Sequence, residues 1–176
     1  MGGRYGKGAG RVALAGVLTA LSLVILYLAS MAPTGRLGVV ALAGTRPAAA
    51  VVSGGLPAGF FCYAATGILG FLLSPMKENA LLYLIFFGLY PMLKCLIERL
   101  RKLPLEWACK LAVFNLALTV FWFTLRAVLL AGLPAFMEQL WALYLVGNVV
   151  FVIYDYGFSK LISFYVQRID KAVRKA

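Results

Sequence analysis

The apolar residues of this chain neither alternate nor recur at short intervals. They gather into six long blocks, about 12–31, 37–52, 56–73, 80–97, 107–130 and 136–165, with a few polar residues between them. A block of about 20 apolar residues is the length of helix that crosses a bilayer. The pattern therefore predicts an all-α integral membrane protein, a six-transmembrane-helix bundle in one domain with a basic tail over 166–176. Span two is expected to be short or kinked, because it is Ala-rich and carries Arg46 and Pro47. Span six, with nearly thirty residues, is expected to continue past the membrane as an amphipathic helix.

The breaks between blocks carry stop and turn signals. "SPMKEN" (Ser74–Asn79) separates spans three and four, "KLPLEW" (Lys102–Trp107) four and five, and "AGLPAF" (Ala131–Phe136) five and six. Each has a proline near a helix start, where the missing N–H costs nothing. Within "FFGLYPMLKCLIERLRK" (Phe86–Lys102), Pro91 lies next to Gly88, which predicts a bend of span four between Gly88 and Lys94 with Tyr83 and Tyr90 turned inward.

Composition agrees with this reading. Hydrophobic residues make up 63% of the 176 residues and charged residues 13%, with a mean hydropathy of +0.92. No separate soluble domain fits into what remains. The basic start "MGGRYGKGAGR" resembles a signal peptide, but the run after it is long enough to span, and it is read as a retained first helix.

The net charge of +11 orients the chain. With the N-terminus inside, eleven of the seventeen basic residues face the cytoplasm, Arg36 and Lys77 face out, and Arg46, Lys94, Arg126 and Lys160 fall within spans. Five spans would separate the "ERLRK" cluster from the basic tail. Six spans with both termini cytoplasmic keep them on one side. The charge is a topology signal with attraction to anionic lipid, not a nucleic-acid site. Histidine is absent, the three cysteines are scattered and the six acids are dispersed. No metal site, no cofactor and no enzymatic acid–base machinery is expected.

Polar residues fall on helical faces inside the spans. Span three has Gly59, Tyr63, Thr66, Gly70 and Ser74, and span four has Tyr83, Phe87, Tyr90, Lys94 and Glu98. Span five has Asn115, Thr119, Trp122 and Arg126, and span six has Trp141, Tyr144, Asn148, Asp155 and Ser159. These stripes fit an internal pocket, or hydrogen bonds that hold helices together. Three intramembrane charges stand out. Lys94 can meet Glu98 one turn on or Asp155 in span six; Arg46 sits near mid-membrane with no acid nearby in sequence and needs a carboxylate, carbonyls or an anionic ligand. Arg126 and Glu138 are twelve residues apart across a tight loop, close enough to pair.

Two stretches, "RVALAGVLTALSLVILYLASMAPTGRLGVVALAG" and "RPAAAVVSGGLPAGFFCYAATGILGFLL", carry a resemblance. Six spans in this length, a small-residue first helix and Ala/Gly-rich second and third helices resemble the substrate-binding S component of energy-coupling factor (ECF) transporters. A membrane protein of the rod-shape MreD type is a related possibility. The first resemblance implies a micronutrient or vitamin uptake subunit of the bacterial cytoplasmic (inner) membrane, which captures a small solute in its outer half. It implies docking on a transmembrane coupling subunit driven by ABC ATPases through Ala9, Ala13, Gly16 and Ala20. It implies a first gating loop at Ala32–Arg36 and a pocket drawn from Tyr83, Tyr90, Trp122, Arg126, Tyr144 and Asn148. No GxxxxGK[ST] motif is present, so such a chain cannot energise transport alone.

Overall fold

A computed structural model describes the backbone of residues 3–32, 34–130 and 139–173. Side chains are described for residue 10 and for residues 12–32, 34–124 and 139–168. Among the described residues the chain is helical without strands, and six helical stretches are long and apolar enough to cross a membrane. Their outer faces are greasy: Val12 is 74% exposed, Phe61 71% and Phe123 81%. Such surface is at home in lipid, and the chain is a multi-pass membrane protein.

The chain divides into two compact units, 1–99 and 100–176. The first holds α1 (Gly3–Met31), α2 (Arg36–Gly54), α3 (Leu56–Leu73), α4 (Lys77–Leu82) and α5 (Tyr90–Ile97). A π-helical turn, Tyr83–Phe87, interrupts the span between α4 and α5. The helix α2 is the centre of this unit and packs on α1, α3, α5 and the π-turn. Its inner face is Val40, Ala43, Gly44, Pro47, Ala48 and Ala50, small enough for neighbouring backbones to approach closely. The helix α1 answers with Leu18, Ser22, Leu26 and Ala29, buried at helical spacing.

Span two runs for nineteen residues, a full crossing, and its helix continues through Arg46 and Pro47. The pre-proline bias acts on one residue, whereas α2 is packed on several sides, and packing decides the backbone there. A single residue then separates α2 from α3. It is Gly55, at φ +84°, a conformation side chains other than glycine's rarely adopt. Pro57 follows in the first turn of α3.

The second unit holds α6 (Leu103–Leu130) and α7 (Leu140–Val173). A short 3₁₀ turn, Glu98–Leu100, and Arg101 at φ +52° precede α6. The helix α6 starts four residues earlier than the apolar block suggested, with Pro104 in its first turn. At 1.5 Å per residue, the 34 residues of α7 make a rod of about 51 Å, well beyond a hydrocarbon core of about 30 Å. Phe136, the expected start of span six, lies outside the described residues.

Candidate functional site

The first unit is built around three breaks in helical hydrogen bonding, two of them answered by a hydroxyl from another helix. Pro47 has no N–H for the Ala43 carbonyl; the buried Ser22 hydroxyl of α1 donates to that oxygen at 3.0 Å. In the π-turn, Gly88 N–H donates to Tyr83 five residues back at 2.7 Å. A regular helix would direct that donor to Leu84. The Leu84 carbonyl accepts the Tyr63 hydroxyl of α3 instead, at 2.9 Å. Pro91 offers no N–H to the Phe87 carbonyl, and there α2 comes closest: a Cβ at Gly44 would collide with the Phe87 carbonyl oxygen. Thus the proline-bearing helix α2 crosses the interrupted span four at Gly44 and Phe87, next to both defects.

Polar groups gather round this crossing. Tyr83 and Thr66 are fully buried side by side with Ser22, and neither hydroxyl makes a hydrogen bond of good geometry among the described residues. Tyr63 and Tyr83 stack with ring centroids 6.0 Å apart. Arg46 lies half a turn past Gly44, on the face of α2 turned away from the crossing. It is partly buried, its Nε is inaccessible, and it has no hydrogen bond or ion pair among the described residues. Irregularity in span four thus begins about a turn before the expected Gly88–Lys94 bend. The π-turn at Tyr83–Phe87 already displaces the ladder before Pro91 is reached.

One end of the unit is tied by polar bonds. Ser30 and Ser74 hydroxyls lie 2.7 Å apart, and the Asn79 amide donates to Ser30 at 3.2 Å. A guanidinium N–H of Arg36 reaches Met76 Sδ at 3.5 Å. The connection between α1 and α2 is thereby bridged to that between α3 and α4.

In the second unit the polar stripes meet each other. Lys110 Nζ donates to Asp155 Oδ2 at 3.2 Å, and both side chains are buried. Asn115 and Asn148 exchange two amide bonds of 3.0 Å each. Thr119 and Tyr144 hydroxyls lie 2.6 Å apart. As the number on α6 rises, its partner's on α7 falls, so the two helices form an antiparallel polar ladder. Phe114 and Phe151 stack within it at 4.5 Å.

The expected site residues therefore fall into both units. Tyr83 and Tyr90 are completely buried in the first. Trp122, Tyr144 and Asn148 belong to the second, where Tyr144 and Asn148 are bonded in the ladder. The Arg126 and Ala9 side chains, and the Arg126–Glu138 pair, lie outside the described residues. Lys94 pairs with Glu98 at 2.8 Å but is only 2% exposed, so it bridges from the interior rather than reaching out. Ala13, Gly16 and Ala20 are exposed, and a Cβ at Gly16 would meet nothing within 4 Å.

Three residues were missed. Lys110 reads as a loop charge in the sequence, yet it lies buried in α6. It stands five residues before Asn115, off the face of the Asn115–Thr119 stripe, so helical spacing does not announce it. Ser22 and Tyr63 bond to carbonyls, and a proline four residues on from Ala43 announces an orphan acceptor without naming its donor. A groove of about 390 Å³ between Leu23, Tyr27, Leu28, Gly70 and Leu73 is apolar and involves none of the expected pocket residues.

No protein-family model matches the chain, and comparison with curated proteins and with solved structures returns no match.

Proposed function

We propose that the chain is the solute-binding membrane subunit of an ECF-type uptake transporter, set in the bacterial inner membrane with both termini cytoplasmic. The observation that carries this reading is the close crossing of the continuous, proline-bearing α2 with the interrupted span four at Gly44 and Phe87. A helix interrupted within the bilayer is a common way for membrane transporters to expose polar groups to a solute. Here the crossing gathers the unsatisfied Tyr83 and Thr66 hydroxyls. The bridged connections at Arg36 and Met76 would then form the gate above it.

The exposed Ala13, Gly16 and Ala20 leave one face of α1 open to a close-packing helix, as a coupling subunit would require. Affinity purification from native membranes is expected to recover a coupling subunit and two ATPases with the wild type. A Gly16→Leu/Ala20→Leu variant is expected to lose them. Isolation of the wild type alone, with no change in the variant, would overturn the reading.

A second reading, a scaffold of the MreD type, is favoured by one observation. The ladder of α6 and α7 spends its polar side chains on each other, as a purely structural hairpin would. It predicts partners from envelope synthesis in the same purification.

A further inference from the structure

The helix α2 carries a cation, Arg46, that no described residue of its unit neutralises. Arg46 stands ten residues from the start of α2 and eight from its end, about 15 Å and 12 Å along the axis. That is close to the centre of a hydrocarbon core about 30 Å thick. Helical side chains lean toward the N-terminus, so the guanidinium leans along the longer way out. A charge at this depth is costly in hydrocarbon and marks a functional site by default.

Within the first unit the sequence offers two carboxylates, Glu78 and Glu98. Glu98 takes Lys94 at 2.8 Å, and Glu78 lies in the first turn of α4, at a span end. Nearby carbonyls are engaged as well: Ala43 accepts Ser22, and Leu42 accepts Thr45 at 2.7 Å. Arg46 is partly buried, and its Nε–H is sealed from solvent with no acceptor among the described residues. A planar fork of donors matches an oxyanion held by two parallel bonds.

We propose that Arg46 is the recognition group for an oxyanion, a carboxylate or phosphate, held at the middle of α2 on the face opposite Gly44. The anion completes the charge balance of α2 when bound. A small organic acid, a phosphate ester or an anionic lipid headgroup would share this chemistry. This rests on the solute-binding reading and names its substrate class as anionic.

The test uses the full chain in zwitterionic nanodiscs, with phenyl phosphate and benzoate as probes and benzamide as their neutral counterpart. Wild type and Arg46→Gln are compared by thermal unfolding and by titration. Phenyl phosphate or benzoate is expected to raise the wild-type midpoint saturably, and benzamide not. Affinity should fall by about 10- to 100-fold in Arg46→Gln, the loss of a charge-assisted bond, and recover in part in Arg46→Lys. The probe-free Arg46→Gln protein should unfold at a higher temperature than wild type, because an unneutralised cation is gone.

Stabilisation of the wild type by anionic lipid in the nanodisc alone, lost in Arg46→Gln, assigns the oxyanion to a headgroup. Two results overturn the proposal: equal shifts in wild type and Arg46→Gln, or no anion-dependent shift together with a destabilised Arg46→Gln. Binding of benzamide equally to both proteins would remove the anion and leave a solute-binding subunit standing. The solute-binding reading itself falls with the purification experiment above.

Discussion

A buried carbonyl that loses its helical donor must find another, and in lipid no water can supply it. Ser22 fills that role for Ala43 because Pro47 cannot. Ser22→Ala is expected to lower stability by about 1–3 kcal/mol, the cost of an orphaned buried acceptor. In a Pro47→Ala background the new N–H returns to Ala43, and the same Ser22→Ala change should cost distinctly less. Unfolding midpoints of the four proteins in mild detergent give the coupling, and additive losses would refute the exchange of donors. Gly44 makes a steric counterpart. Gly44→Ala drives a methyl into the Phe87 carbonyl and is expected to cost about 1–3 kcal/mol. Gly16→Ala, with open space around it, should stay within about 0.5 kcal/mol of wild type in the same assay.

The pairing of helices α6 and α7 rests on a ladder rather than on one bond. Neither helix has an apolar partner face that lipid could not equally satisfy, so polar contacts and close packing set their register. The reciprocal Asn115–Asn148 amides are the cleanest rung to measure. A double-mutant cycle of Asn115→Ala and Asn148→Ala is expected to return a coupling of about 0.6–1.7 kcal/mol. A coupling of zero would mean that the amides find equal partners elsewhere. Lys110→Met should cost more, about 1.5–3 kcal/mol, because it removes a buried charge-assisted bond to Asp155. The element that most resists prediction is the π-turn of span four. Sequence points to Pro91 and Gly88, yet the ladder shifts first at Tyr83, where the ring lies against Tyr63 of α3 and Gly88. No local propensity encodes that wedge.

Four spans before Arg99 and two after Leu100 give each unit an even number of crossings. Reporter fusions after Arg101 and after Ala176 are therefore expected on the same side as the N-terminus, and the basic clusters argue for the cytoplasm. A fusion at residue 76, between spans three and four, should report the opposite side. Fusions at 101 and 176 on opposite sides would mean that one candidate span does not cross.

The sequence by itself determined that the chain has six stretches long and apolar enough to span, and roughly where they lie. A bilayer demands about 20 apolar residues in one continuous stretch, and that demand is local. It also marked Pro47, Pro91 and Arg46 as departures, since a missing donor and an unneutralised charge are legible in a single residue. What replaces the missing bonds was decided by tertiary structure. Ser22 meets Ala43 across 21 residues, Asn79 meets Ser30 across 49, and Lys110 meets Asp155 across 45. Such partners depend on which helix faces lie together and at what depth. Hydropathy carries no record of either, because every face of a span can be apolar and still be correct in lipid.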